Sequence, residues 1–174
     1  TLGKIIAGGL PTGAFGGSAE LMACFNPKKP DSWKHAGTFN NNVCSMAAGV
    51  AAMSKVFTPK RANEFFDWTE DYRQSLNTMF ADRSVPMIAN GLGSMFAIHF
   101  TSKPLERMVM RGPDAHALNA LLHMELLLDG VLICGRGDFF LSLSMTESHL
   151  EKVRQALAGF IDRHQGLIVS VVND

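Results

Sequence analysis

A single lysine lies among apolar residues and glycines near the start of the chain. The sequence around it reads Thr1-Leu2-Gly3-Lys4-Ile5-Ile6-Ala7-Gly8-Gly9. Burial of a lysine favours its neutral amine, and a neutral amine can add to an aldehyde to form a Schiff base. The glycines leave room for a bulky group beside the backbone. Lys4 is therefore a candidate for covalent catalysis. The alternative is a lysine whose ammonium reaches solvent from a glycine-rich loop.

A second group of candidates precedes a stretch that predicts a helix. Gly37, Thr38 and Phe39 are followed by three asparagines, 40–42, and by an Ala- and Met-rich run, 43–57. The apolar residues of this run predict a buried helix with an asparagine at its N-cap. A helix N-terminus presents N–H groups and the positive end of the helix dipole, which suit a phosphate. Thr38 is therefore a candidate phosphate ligand. The alternative is an ordinary loop residue.

One arginine is a candidate ligand for a substrate carboxylate. Arg136 lies in the segment Gly135-Arg136-Gly137-Asp138. A guanidinium binds a carboxylate through two parallel hydrogen bonds. A surface ion pair at the edge of a strand is the equally open alternative.

These stretches resemble the class III aminotransferases, enzymes of fold type I. The order Leu-Gly-Lys-Ile-Ile…Gly-Gly-Leu-Pro…Gly-Ala…Gly-Gly between residues 2 and 17 is similar to the family's cofactor-lysine loop, most of all in glutamate-1-semialdehyde 2,1-aminomutases. The resemblance implies that Lys4 forms a Schiff base with the cofactor pyridoxal 5′-phosphate. It also implies that Gly37, Thr38 and Phe39 bind the cofactor phosphate. The family's threonine usually comes from the neighbouring subunit, which implies a homodimer with shared active sites.

The sequence departs from the aminomutase pattern at two places. The family commonly has Ser-Gly-Asn-Pro where this chain has Asn40-Asn41-Asn42-Val43. Arg136 resembles an arginine of class III transaminases that act on β-amino acids or related amines. Three hypotheses therefore stay open: an aminomutase or transaminase, a protein that binds the cofactor without turnover, and a structural oligomerisation domain.

The resemblance implies an α/β fold made of two parts of a fold-type I enzyme. Residues 1–58 are expected to end the large cofactor domain, 59–82 to form a linking helix, and 83–174 to form a small C-terminal α/β domain with a mostly antiparallel sheet. Apolar periodicity predicts helices at 60–82, 113–128 and 146–164, and strands at 85–89, 94–100, 131–134 and 139–143, with a turn at 90–93. The family's other cofactor residues lie upstream of its lysine, so we expect the chain to be a fragment that is inactive alone.

The composition argues against several classes of partner and site. The 16 basic and 16 acidic residues give no net charge, which argues against a nucleic-acid partner. Three widely spaced cysteines and six histidines without a ligand-type spacing favour neither disulfides nor a metal site, and they fit a cytoplasmic protein. No apolar run is long enough for a membrane helix. The hydrophobic content of 47% suggests that part of the surface is buried against a partner.

Overall fold

The computed structural model describes residues 1–107 and 112–172. It contains two compact units, Thr1–Ala62 and Asn63–Asp174. The assignment of residues 1–58, 59–82 and 83–174 to a large domain, a linking helix and a small domain remains a prediction.

The first unit consists of short helices joined by loops. It contains 3₁₀ turns at Lys4–Ala7 and Ala23–Phe25 and the helices α1 (Ala19–Met22) and α2 (Val43–Ala51), the second of which continues into a π-helical turn at Ala52–Val56. The side chain of Ser18 caps α1 by accepting a hydrogen bond of 3.3 Å from the Leu21 N–H. Leu2 and Ala14 form an isolated antiparallel bridge, with N–H···O distances of 2.7 and 2.9 Å. This bridge closes the loop that carries Lys4.

The expectation that the helix after the three asparagines is buried is wrong within the first unit. Val43 and Val50 on α2 are 80% and 69% exposed, and only Ser45 and Gly49 of this helix are buried. The helix therefore packs along one narrow stripe of small residues. Its larger apolar side chains face away from the unit.

The second unit is a three-stranded antiparallel sheet packed with helices. Helix α3 (Pro59–Asp82) begins in the first unit, and its residues 63–82 belong to the second. In chain order, the second unit then contains β1 (Met87–Leu92), β2 (Met95–Phe100), α4 (Pro113–Leu128), β3 (Asp138–Phe140) and α5 (Glu147–Val171). The strand order is β1-β2-β3. Alternate strand residues, among them Ala89, Ile98 and Phe139, bury one face of the sheet in a core shared with the three helices. The small antiparallel α/β arrangement that the sequence predicts is confirmed.

Two details of the predicted sheet are wrong. Leu92 pairs with Met95, so the hairpin loop is Gly93–Ser94, and residues 90–92 of the predicted turn belong to the strand. The predicted strand at 131–134 is not a strand. Its side chains alternate as in a strand, with Val131 and Ile133 buried and Leu132 77% exposed. However, the N–H groups at its two ends donate within local turns, to the carbonyls of Leu126 and Asp138.

Candidate functional site

Lys4 lies on the surface of the first unit in a strained backbone conformation. Its φ angle is +56°, in the left-handed region that non-glycine residues seldom adopt. Such conformations concentrate at functional sites because the surrounding structure must hold them. The expectation that Lys4 is buried is not met, since the side chain is exposed. The apolar side chains of Leu2 and Ile5 beside it are also exposed, by 65% and 55%, and so do not cover the amine.

The lysine loop is held by close backbone packing against α2. A Cβ atom at Gly49 would lie 2.4 Å from the carbonyl oxygen of Ile6, so only glycine permits this approach. Ala7, the next residue of the loop, is 1% exposed. Ser45, which is 4% exposed, donates a hydrogen bond of 3.1 Å to the carbonyl of Pro11 at the far end of the loop. Helix α2 thus fixes both ends of the segment that follows Lys4.

The turn before α2 occupies two of the first amides of the helix. The side-chain oxygen of Asn42 accepts from the N–H groups of Cys44 and Ser45, at 3.0 and 3.2 Å. Asn42 is therefore the N-cap, as one of the three asparagines was predicted to be. The prediction that free helix N–H groups serve the phosphate is wrong for these two amides, because the cap already satisfies them.

The donors of Thr38 remain available. The turn closes through a hydrogen bond of 3.0 Å from the Asn40 N–H to the Gly37 carbonyl. Within the part of the chain that the structure describes, neither the hydroxyl nor the amide of Thr38 has a hydrogen-bond partner. Gly37, Thr38 and Phe39 are all exposed, and the Phe39 side chain is 82% exposed. An anion at this turn would therefore have the hydroxyl and the amide of Thr38 as donors.

Two adjacent surface depressions lie beside the lysine loop and the turn at 37–39. Lys4, Ile5, Gly9 and Leu10 line the first together with Pro11 and Thr12. Pro11 and Thr12 also line the second, which extends to His35, Gly37 and Phe39. The lysine loop and the turn of residues 37–39 thus border adjacent depressions of one unit.

The rings of Phe15, Phe25 and His35 form a cluster, and His35 also lines the second depression. The sequence does not predict this cluster. The ring of His35 packs edge-on against Phe15 with centroids 5.0 Å apart, and Phe15 packs against Phe25 at 5.1 Å. His35 lies two residues before Gly37, so these ring contacts hold the chain immediately before the turn. These residues follow no helical or strand period, which is the signal that sequence reasoning depends on.

Arg136 lies in the second unit on the turn that leads into β3. Its side chain is 77% exposed and forms an ion pair of 2.9 Å with Asp138. The hydrogen bond to Asp138 raises the pKa of Arg136 above its ordinary value. The ion-pair alternative is therefore present in the structure.

The groups of the first unit fit pyridoxal phosphate. That molecule needs an amine for its aldehyde and hydrogen-bond donors for its phosphate. Lys4 supplies an exposed amine, and Thr38 supplies a hydroxyl and an amide that have no protein partner among the described residues. Among residues 1–107 and 112–172 there is no group of three or more side chains that would hold a metal ion. The helices in the same ranges are too short or too polar to cross a membrane.

Comparison with known sequences gives a family match. The model of the family described as "Aminotransferase class-III" matches residues 1–161. The chain is 38% identical over 168 residues to the β-phenylalanine transaminase of Variovorax paradoxus, covering 97% of this chain and 38% of that protein. It is 35% identical over 162 residues to a glutamate-1-semialdehyde 2,1-aminomutase of Methanococcoides burtonii, covering 91% of this chain and 37% of that protein. The chain thus spans less than two thirds of the length of these relatives.

Comparison with solved structures gives the same fold. The β-phenylalanine aminotransferase of Variovorax paradoxus superposes with a TM-score of 0.82 at 37% identity, over 95% of this chain and 38% of that one. A transaminase with pyridoxal phosphate bound superposes with a TM-score of 0.75 at 29% identity, over 97% of this chain and 38% of that one.

Proposed function

Because this chain belongs to the class III aminotransferase family, we propose that the complete protein transfers amino groups with pyridoxal 5′-phosphate, which Lys4 binds through a Schiff base. The observation that supports the proposal is the exposure of Lys4 together with its backbone conformation. Its amine is accessible on a loop that packs tightly against α2, and its backbone is in a strained conformation. Strained backbone conformations of this kind cluster at functional sites, which supports a functional role for Lys4.

Each residue of the first unit has a distinct role in this proposal. When bound, the cofactor supplies an electron sink that stabilises negative charge on the substrate's α- or β-carbon. Lys4 would hold the cofactor's aldehyde through its Nζ atom, and the same amine would be placed to move a proton as general base and acid. The Thr38 hydroxyl and the amides of the turn at 37–39 bind the phosphate, with Thr38 contributed across a homodimer interface.

Two reactions are open to the complete protein, transamination and intramolecular amino transfer. Arg136 on its exposed turn supports a transaminase acting on a β-amino acid, because its guanidinium suits the substrate's carboxylate. The lysine-loop sequence supports an aminomutase. Measuring transfer of the amino group to an external keto acid against transfer within one molecule separates these reactions. Bound cofactor without turnover in the complete protein would favour a non-catalytic binding protein instead.

Replacement of Lys4 tests the assignment directly. We expect Lys4→Ala in the complete protein to abolish the near-visible absorbance of covalently bound cofactor and to lower turnover by several orders of magnitude. The control is Lys55→Ala, because Lys55 is also an exposed lysine of the first unit. It should keep both the absorbance and the turnover.

A chemical readout complements the spectrum. Borohydride reduction of the wild-type protein followed by peptide mapping should place the phosphopyridoxyl group on Lys4. A group found on another lysine, or an unchanged spectrum in Lys4→Ala, would contradict the proposal.

A further inference from the structure

The buried hydroxyl of Ser45 joins helix α2 to the far end of the lysine loop. Ser45 is 4% exposed, and a buried hydroxyl without a hydrogen-bond partner lowers stability. Its Oγ atom donates a hydrogen bond of 3.1 Å to the carbonyl of Pro11, 34 positions earlier in the chain. The hydroxyl of Thr12 donates to the same carbonyl at 2.6 Å. Of these two donors, Ser45 belongs to a helix and can hold Pro11 against it.

Two other contacts hold the helix that carries this hydroxyl. The Ser45 N–H donates a hydrogen bond of 3.2 Å to the side-chain oxygen of Asn42, the N-cap of α2. One turn further on, the close approach of Gly49 to the Ile6 carbonyl holds the helix against the residues that follow Lys4. Neither contact involves the hydroxyl. Removal of the hydroxyl therefore leaves the helix in place and frees only Pro11 and its neighbours.

Pro11 lies between the two depressions of the first unit. Pro11 and Thr12 line the depression that contains Lys4, and they also line the one beside the turn at 37–39. A molecule that reacts with the Lys4 amine lies in the first depression, and this shared wall limits how the molecule is oriented there. Because addition to an aldehyde depends on the orientation of the two reacting groups, the position of Pro11 bears on the reaction.

We propose that Ser45 is a positioning residue for Lys4, whose hydroxyl holds Pro11 and so fixes the wall beside the reacting amine. This inference rests on the proposed binding of pyridoxal 5′-phosphate by Lys4. Ser45 touches neither the cofactor nor the amine and acts through Pro11. Loss of its hydrogen bond weakens covalent binding of the aldehyde and leaves the phosphate donors of Thr38 unchanged.

Three variants of the complete protein test the role of the hydroxyl. We expect Ser45→Ala to lower the affinity for pyridoxal, followed by the near-visible absorbance of the covalently bound aldehyde, about two- to tenfold, which is the factor that one neutral hydrogen bond contributes. Ser45→Thr keeps a hydroxyl at this position and should retain the wild-type affinity. Ser54→Ala is the matched control, because the Ser54 hydroxyl donates within the same helical segment, to the Val50 carbonyl. It should also retain the wild-type affinity.

A second probe separates positioning from a general loss of structure. The affinity for inorganic phosphate, measured by calorimetry, should be the same in Ser45→Ala and wild type, because the turn at 37–39 is not altered. Equal affinity of these two proteins for pyridoxal would overturn the inference. An equal loss of affinity for both probes would also overturn it, as would a loss in Ser45→Thr as large as that in Ser45→Ala.

Failure of the proposed function gives a different result. The wild type itself would then bind no pyridoxal 5′-phosphate covalently at Lys4. Hydrogen exchange of the Leu10 amide, which donates to the Ala7 carbonyl at 3.1 Å, would still be faster in Ser45→Ala than in wild type, because Pro11 is released. Covalent binding by the wild type with an unaltered affinity in Ser45→Ala would overturn only the role of Ser45.

Discussion

Gly49 links the position of Lys4 to helix α2. Replacing it by alanine has two opposing effects on stability. Alanine favours a helix over glycine by about 1 kcal/mol. Against this, its Cβ would lie 2.4 Å from the Ile6 carbonyl, a backbone atom that cannot rotate away. Overpacking of this kind costs about 1–3 kcal/mol, so the clash outweighs the gain in helix propensity.

We therefore expect Gly49→Ala to lower the free energy of unfolding and to weaken cofactor binding, because the backbone beside Lys4 must shift. Urea unfolding and titration with pyridoxal phosphate measure the two effects. Gly16→Ala is the matched control, since a methyl group at that position would have no neighbour within 4 Å. It should leave both quantities near the wild-type values. Equal behaviour of the two variants would mean that the packing against α2 does not position the lysine.

At the scale of elements, helix α3 holds the β1–β2 hairpin through three polar side chains. Glu70 accepts a hydrogen bond of 2.9 Å from the N–H of Gly93 in the hairpin loop, and Arg73 donates one of 2.7 Å to the carbonyl of Ala89. Asn77 bonds both backbone groups of Ala89, at 2.7 and 3.2 Å. These side chains pair the backbone groups of Ala89 on β1, which is an edge strand of the sheet.

The Glu70 carboxylate makes this contact depend on pH. The hydrogen bond from Arg73 lowers the pKa of Glu70 from 4.5 to about 2. A depressed pKa stabilises the fold above the unfolded-state value, and this contribution is lost as the pH falls from about 5 towards 2. Glu70→Gln should reduce the free energy of unfolding at pH 7 by about 1–2 kcal/mol, allowing for partial exposure of the pair.

Urea unfolding of wild type and Glu70→Gln between pH 7 and pH 3 checks this expectation. The stability difference between them should shrink with falling pH. Asp67→Asn is the control, because Asp67 is exposed on the same helix. A difference that stays constant with pH would show that the charge of Glu70 is not what stabilises the hairpin.

The elements were predictable where a signal is local. The helix at 113–128 was predicted with its observed bounds, because Pro113 suits a first helical turn and Gly130, at φ +76°, suits the chain reversal after the end. The strand at 131–134 was wrong because alternation of side chains reports burial, whereas a strand also needs a partner backbone. The final helix runs beyond the predicted 164 to Val171, where Ile168 continues its buried stripe.

The residues of the candidate site come from motifs and stay a prediction, whereas the exposure of Lys4 was not predictable from the sequence. Lys4 and the turn at 37–39 were identified from residue types and order, and they border adjacent depressions of the first unit. The sequence predicts that an asparagine caps α2. Only the hydrogen bonds of Asn42 in the structure show that this cap occupies two helix amides. The burial of Lys4 was inferred from apolar neighbours, and those neighbours prove to be exposed themselves. Sequence neighbours do not determine which side of a loop faces solvent.

At the scale of the whole molecule, apolar residues near the turn are exposed where the proposed homodimer would have its interface. Phe39 and Val43 are 82% and 80% exposed, and Val50 continues the same side of α2 two turns later. Large apolar patches on a surface mark interaction sites. The proposed homodimer would cover these residues and would place Thr38 of one subunit beside the cofactor bound to Lys4 of the other.

Mixing two inactive variants tests this arrangement. If Lys4 and Thr38 act across the interface, a heterodimer of Lys4→Ala and Thr38→Ala subunits contains one site with both wild-type residues, because the intact lysine and the intact threonine come from different chains. Co-expression with two affinity tags should then give about half the wild-type cofactor content and turnover per dimer. If both residues act within one subunit, neither site of the heterodimer is complete, and turnover should not exceed that of the Thr38→Ala homodimer. The control is a heterodimer of Lys4→Ala with wild type, which has one complete site in either arrangement.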